Sequence, residues 1–314
     1  MHKLNLLFLV FFYFTLTHLT AQTTEKRKYQ AARTVEIPEL DGNINDNCWT
    51  KGEWQGDFVQ HEPREGMAPS QKTEFCILYD NSYLYVAFKA YDTAPDSIVK
   101  RMTRRDQADG DQVGIVFDSF HDLRTGFDFS VSASGVKQDV IYSEDGNIED
   151  ETWDPIWYVK TAMYEWGWAA EMKIPFTQLR FNAGSEGVWG LNVARQIFRF
   201  SELSLWQATP RDASGFIHFM GEMNGLSDLK PKKQFDLIPY LTGGYESFKK
   251  EEGNPFADGN RWIKNMGLDG KIGITNNMTL DFTINPDFGQ VEADPSEVNL
   301  TAFESFLKRS APFY

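Results

Sequence analysis

Thr73-Glu74-Phe75-Cys76-Ile77-Leu78-Tyr79-Asp80-Asn81-Ser82-Tyr83-Leu84-Tyr85-Val86-Ala87-Phe88 holds two runs of aliphatic and aromatic residues around a polar turn. Phe75, Ile77 and Tyr79 alternate with Glu74, Cys76 and Leu78, a period of two that places successive side chains on opposite faces of a strand. Asp80-Asn81-Ser82 is turn chemistry, so the stretch predicts a β-hairpin. The same alternation continues downstream. Val113, Ile115 and Phe117 precede the polar turn at 121–124, and Phe127, Phe129 and Val131 alternate with Asp128, Ser130 and Ser132. Trp157, Val159, Thr161 and Met163 follow, then Trp168, Ala170, Met172 and Ile174, then Val188 to Ala194. Many short alternating strands separated by turns predict an all-β chain, an antiparallel two-sheet sandwich with a packed interior. A short helix is expected at Asn45 to Lys51, and a helical turn after Pro175, a helix-starting residue.

Beyond the sandwich the character changes. Asn224-Gly225, Pro231 and Lys232-Lys233 read as a linker. Leu268, Gly270, Ile272 and Ile274 then alternate with Asp269, Lys271, Gly273 and Thr275. After an Asn276-Asn277 turn, Met278, Leu280, Phe282 and Ile284 alternate with Thr279, Asp281, Thr283 and Asn285. One face is apolar and the other is polar or glycine, the way outer-membrane barrel strands are written, though an ordinary half-buried hairpin has the same pattern. The segments 235–244, 267–275 and 278–285 supply about three such strands, whereas a closed membrane barrel needs at least ~8. An open edge in lipid leaves backbone groups unpaired. These strands are therefore expected to begin a longer protein, or to pack on the sandwich or a partner.

At the other end, Lys3, the apolar run Leu4 to Leu16 and Leu19-Thr20-Ala21 form the three-part layout of a signal peptide, with cleavage expected after Ala21. The run is shorter than the ~20 residues of a membrane-spanning helix. No cysteine follows the cut, so a lipid anchor is not expected. The formal charge of the chain is −14, and its mean hydropathy is −0.44. Losing Lys3 makes it one unit more negative. Such an acidic chain lacks the basic stripe that nucleic acid requires, and suits a neutral sugar, a cation or simple solubility. Cys48 and Cys76 would meet an oxidising compartment, where a disulfide or two buried thiols are both open readings.

Several stretches carry a resemblance. Leu40-Asp41-Gly42-Asn43-Ile44-Asn45-Asp46 with Trp49 resembles the opening of family 9 carbohydrate-binding modules. So do Asn81 to Phe88 with Asp92, Trp168-Ala169-Ala170-Glu171-Met172-Lys173-Ile174-Pro175-Phe176, and Trp189-Gly190-Leu191-Asn192 with Arg195. Trp153-Asp154-Pro155-Ile156-Trp157, Gln178-Leu179-Arg180-Phe181 and Asn285 to Pro295 are similar to signatures of a narrower group, outer-membrane β-barrel proteins of unknown function that carry such a module in front. The resemblance implies a carbohydrate-binding-module-like sandwich at 35–222, after a signal peptide at 1–21 and a linker at 22–34. A second linker spans 223–233, and the start of a barrel-like domain spans 234–314. Leu307 to Tyr314 departs from that group's pattern, and a truncated product is the expectation.

A sugar site needs flat apolar faces and a few polar groups. Trp49, Trp168 and Trp189 fall at signature positions and read as core. Trp153 and Trp157, with Glu171 as polar partner and Arg195, are the candidates for a sugar cleft, against the commoner place of a tryptophan in the core or rim of a sandwich. The resemblance extends to calcium-stabilised sandwiches, and Asp145, Asn147, Glu149 and Glu151 alternate in a glycine-containing loop as Ca²⁺ ligands often do. A solvated acidic loop, and a second one at Asp106, Asp109 and Asp111, are the alternative. No nucleophile elbow, zinc helix or phosphate loop is present in the sequence. The expected function is an exported glycan-binding module of the periplasm, outer membrane or cell surface, tied to polysaccharide use. A structural or assembly partner of an outer-membrane complex is the alternative, and a glycoside hydrolase a third.

Overall fold

The computed structural model describes residues 25–181, 187–227, 229, 235–250, 259–275 and 278–286. The signal segment, the Lys232-Lys233 linker, the Asn276-Asn277 turn and the stretch from Asp287 to Tyr314 lie outside them. Among the described residues every regular element is a strand or a short 3-10 turn.

The strands in chain order are β1 (Lys28–Gln30), β2 (Ala32–Arg33), β3 (Val59–Glu62), β4 (Thr73–Tyr79), β5 (Tyr83–Tyr91), β6 (Gln112–Asp118), β7 (Gly126–Ser132), β8 (Lys137–Ser143) and β9 (Ile148–Asp150). They continue as β10 (Tyr158–Tyr164), β11 (Gly167–Pro175), β12 (Trp189–Ile197), β13 (Glu202–Leu205) and β14 (Gly221–Asn224). The last three are β15 (Phe235–Ser247), β16 (Asn260–Thr275) and β17 (Met278–Ile284). The larger sheet runs β1-β14-β12-β6-β7-β8-β9, with β13 pairing both β12 and β3. The smaller sheet runs β10-β11-β5-β4-β2. Pairing is antiparallel except for β1 with β14 and β2 with β4, which are parallel.

The predicted hairpin is β4–β5, with Tyr79 opposite Leu84. Asp80 builds its turn: one carboxylate oxygen accepts the Ser82 and Tyr83 amides at 2.6 and 2.8 Å. The interior comes from the alternating residues of both sheets. Phe75, Ile77, Leu84, Val86, Phe88, Trp168, Met172 and Ile174 face Val113, Ile115, Phe117, Phe127, Phe129, Val131, Trp189 and Leu191. Aromatic rings interlock there edge to face, Phe75 with Trp206 at 5.6 Å and Phe117 with Trp189 at 6.1 Å. Such burial is the main stabilising term of the fold.

The sandwich differs from the sequence reading in two respects. Residues 28–33, expected in a linker, add one short strand to each sheet, and Tyr29 reaches the core, where its hydroxyl accepts the Ile77 amide at 2.7 Å. The expected helix near Asn45 is a 3-10 turn over Asn47–Lys51. This turn and its neighbours cover the outer face of the smaller sheet. Ile44, Cys48 and Trp49 pack there on Cys76, Leu78, Tyr85, Ala87 and Ala169. Both cysteines are buried free thiols, and burial pushes the Cys76 thiol up to about 12.

β15, β16 and β17 form a separate three-stranded antiparallel sheet. It touches the sandwich through polar contacts: Gln178 Nε2 to Asp236 Oδ2 at 3.2 Å, Arg180 Nη2 to Thr279 Oγ1 at 3.1 Å, and Lys271 Nζ to the Asp154 carbonyl at 3.4 Å.

Candidate functional site

The outward positions of the larger sheet meet in a groove of about 550 Å³, within the ~300–1,000 Å³ of small-molecule sites. Because alternate residues of a strand face opposite ways, the strands that bury Val113, Ile115, Phe127 and Phe129 must turn Gly114, Val116, Asp128 and Ser130 to this groove. β8 adds Gln138 and Tyr142, β12 adds Asn192, Ala194 and Gln196, and β13 adds Leu203 and Leu205. Phe216 closes one end and His61 the other.

The floor is low where Gly114 lies under Ser130, because a Cβ on Gly114 would sit 2.2 Å from Ser130 Oγ. The Ser130 hydroxyl donates to Asp128 Oδ1 at 2.9 Å. Burial raises the Asp128 carboxyl to about 7; Asp139 and Glu149 add to the rise and the Ser130 hydrogen bond opposes it. Near neutral pH this acid can accept or donate a hydrogen bond. Asn192 is engaged by the protein: it donates to the Gln207 carbonyl at 3.0 Å and accepts the Val193 and Gln207 amides. Gln138 and Gln196 line the groove with carboxamides that make no hydrogen bond within the described protein, so both are open to a ligand.

Phe216 packs edge to face on Tyr142 at 5.0 Å. The acidic loop holds it there. Asp145 adopts φ +66, its carbonyl accepts the Phe216 amide at 3.0 Å, and its carboxylate takes the His218 amide at 3.0 Å and His218 Nδ1 at 2.5 Å. Gly146 at φ +89 lies beneath the Phe216 ring, where a Cβ would come within 2.3 Å of a ring carbon. The groove thus has a fixed aromatic wall, an acid and two open carboxamides, the mixture that holds a polyhydroxylated ring by C–H stacking and hydrogen bonds.

The candidates predicted from sequence lie elsewhere. Trp157 is 1% exposed; its indole N–H donates to Asp139 Oδ1 at 2.9 Å and its ring meets Phe129 edge to face. Trp153 packs on Phe127 and Phe129. Together they plug the edge of the interior between the two sheets, and Arg105 ties this plug down through Asp139 and the Pro155 carbonyl. Glu171 is 1% exposed, on the outer side of the smaller sheet. Its carboxylate accepts the Gly42 amide at 2.8 Å, the Asp41 amide at 3.3 Å and the Trp49 indole N–H at 3.1 Å. Arg195 is fully buried between the sheets, paired with Asp111 at 3.2 Å and lying over the Trp168 ring. The four do not share a cleft; three are sealed from solvent, so none of these three can meet a sugar in this structure.

The acidic loop does not fit a calcium site either. Asp145 is turned to His218, the Asn147 carboxamide donates to the Glu144 carbonyl, and Glu149 lies on exposed β9. Among the described residues no three His, Cys, Asp or Glu side chains gather into a metal cluster. Asp109 pairs with Arg101, Asp111 with Arg195, and Asp106 accepts the Asp139 amide, so the second acidic loop is structural too. Sequence reasoning missed Phe216, Tyr142, Asp128, Gln138 and Gln196. For Asp128 a signal existed, since it alternates with Phe127 and Phe129.

Residues 40–197 match the family described as carbohydrate family 9 binding domain-like. Residues 231–314 match a domain of unknown function, DUF5916. The comparison with curated proteins gives no match. Among solved structures, a family 9 carbohydrate binding module from Caldicellulosiruptor kristjanssonii is similar in its glucose complex, with 17% identity and TM-score 0.47, covering 66% of this chain and 97% of that one. Its cellotriose complex gives 18% identity and TM-score 0.47, covering 64% and 96%. A candidate carbohydrate-binding protein from Bacteroides uniformis has TM-score 0.51 at 12% identity, covering 63% of this chain and 99% of that one. At that identity the likeness concerns the fold.

Proposed function

The chain belongs to the carbohydrate family 9 binding domain-like proteins, and on that premise we propose that it is a glycan-binding module whose ligand lies in the groove on the outer face of the larger sheet. The observation that carries this reading is the pairing of a fixed aromatic wall, Phe216 on Tyr142, with polar groups left open along one concave face. A sugar ring stacks its C–H face on the aromatic wall while Gln138, Gln196 and Asp128 meet its hydroxyls. Such contacts orient a neutral ligand without demanding charge.

The test is a glycan array followed by titration calorimetry on the purified chain. Phe216→Ala is expected to weaken binding at least about ten-fold, the loss of roughly 1.4 kcal/mol of stacking. Binding that survives loss of both Phe216 and Tyr142 would move the site off this face.

The setting belongs to the same reading. The leader at 1–21 directs export, and the β15–β17 sheet attaches the module to the outer membrane or an outer-membrane protein, where it serves polysaccharide use. The wide apolar face of that sheet supports attachment, and it equally favours a second role as an assembly partner within an outer-membrane complex. Cell fractionation separates these from a free periplasmic protein, which would be recovered in the soluble fraction.

A further inference from the structure

Next to the groove lies a second cavity of about 310 Å³, formed where β3 and the residues after β13 face each other. The two cavities share His61, Leu205 and Thr209, so they are separated by a common wall and not by the body of the protein. Beyond that wall the second cavity is lined by Gln60, Glu65 and Pro210 among others.

Its chemistry is one-sided. His61 Nδ1 contacts the Thr209 carbonyl at 3.1 Å. A carbonyl can only accept, so Nδ1 carries the proton and neutral His61 offers Nε2 as an acceptor. Glu65 adds a carboxylate, one oxygen of which already accepts the Arg211 amide. His61 Nε2 and the second Glu65 oxygen are thus acceptors left open to a ligand's donors. The matching ligand presents several O–H donors and no fixed charge.

The span points the same way. From Tyr142 on β8 to His61 on β3 the groove crosses β7, β6, β12 and β13, five strand spacings or roughly 24 Å at ~4.8 Å each, far longer than one sugar ring. We propose that this second cavity is a further sugar subsite, so that the site takes an oligosaccharide chain running from the Phe216 wall past His61 to Glu65. The inference rests on the glycan-binding reading above.

The experiment is calorimetry on the purified chain with β-1,4-gluco-, β-1,3-gluco-, xylo- and manno-oligosaccharides of two and four units. For the series that binds, the tetrasaccharide is expected to bind about ten-fold tighter than the disaccharide. Glu65→Gln and His61→Phe should each cut that ratio to about three-fold or less, while circular dichroism confirms that both variants fold. Equal affinity for two and four units, or a length ratio that neither variant changes, overturns the subsite and leaves the groove reading standing. No binding in any series, with none on the array, overturns both.

Discussion

Glu171 carries a carboxylate in a strand signature, a place where a polar group suggests ligand contact. In the fold it does another job. Two amides of the Asp41-Gly42 turn and the Trp49 indole converge on it, so one side chain fastens the opening motif of the module to β11. Gly42 sits at φ +88, and a Cβ there would stand 3.0 Å from the Ala162 Cβ, which is why the turn needs glycine. Glu171→Ala would leave three donors without their acceptor, a loss of about 3 kcal/mol or more. Urea unfolding checks this; a midpoint close to that of the parent chain would refute the fastening role. Asp128 makes a different prediction. Its carboxyl is raised from 3.8 to about 7 by burial in the groove floor. Between those values the folded protein holds a proton that the unfolded chain has released, so stability declines as pH rises through that window and levels off above it. Glu171, raised to about 7 by burial, adds a decline of the same sign. Unfolding free energies measured from pH 4 to 8 should therefore fall, and Asp128→Asn should flatten part of the slope; an unchanged slope would show that Asp128 is not the group held protonated.

At the scale of elements, β4, β5 and β11 of the smaller sheet are buried on both faces because the 44–54 segment lies across their outer side. Gly52 is the closest approach: a Cβ there would stand 2.2 Å from Cys76 Sγ and 2.9 Å from Leu78 Cδ2. Both neighbours belong to fully buried residues of β4 and have little room to retreat. Gly52→Ala should cost about 1–3 kcal/mol by overpacking, and Cys76→Ala in the same chain should return part of it; additive losses would mean the two do not touch. Long strands were legible in the sequence, since β4 to β7 and β10 to β12 carry seven to nine residues of clear alternation; β8, of equal length, was not read as a strand. Short pieces were not. β1, β2, β3 and β13 span two to four residues and owe their place to pairing across distant parts of the chain. The groove was hidden for the same reason, being assembled from outward positions on β6, β7, β8, β12 and β13. Phe216 comes from a polar loop with no period at all. The acidic loop misled because a metal-binding loop and the Asp145-Gly146 turn need the same residues: acids for ligands or caps, glycine for positive φ.

At the scale of the whole molecule, two bodies of different character share one chain. The sandwich closes over its own interior, and Leu229 just after β14 still packs against it. Among the described residues the β15–β17 sheet has no such cover. Trp262, Met266 and Leu241 are 72%, 70% and 80% exposed, and the register places Trp262 opposite Tyr245 and Met266 opposite Leu241 on a single face. An isolated sheet with an open apolar face is marginal in water and gains by covering it. The contacts with the sandwich do not cover it, because buried Gln178, exposed Arg180 and half-buried Lys271 make polar bonds, each worth about 1 kcal/mol or less. The sandwich should therefore not depend on the sheet: residues 25–229 alone should unfold within a few degrees of the sandwich transition of the full chain. The sheet should in turn confer a surface that the shorter chain lacks. Mixed with phosphatidylethanolamine–phosphatidylglycerol vesicles and spun through a density gradient, the full chain should float and residues 25–229 should stay at the bottom. A full chain that remains at the bottom as a monomer would reject membrane attachment through this sheet, and one that remains there as an oligomer would assign its apolar face to a second protein surface.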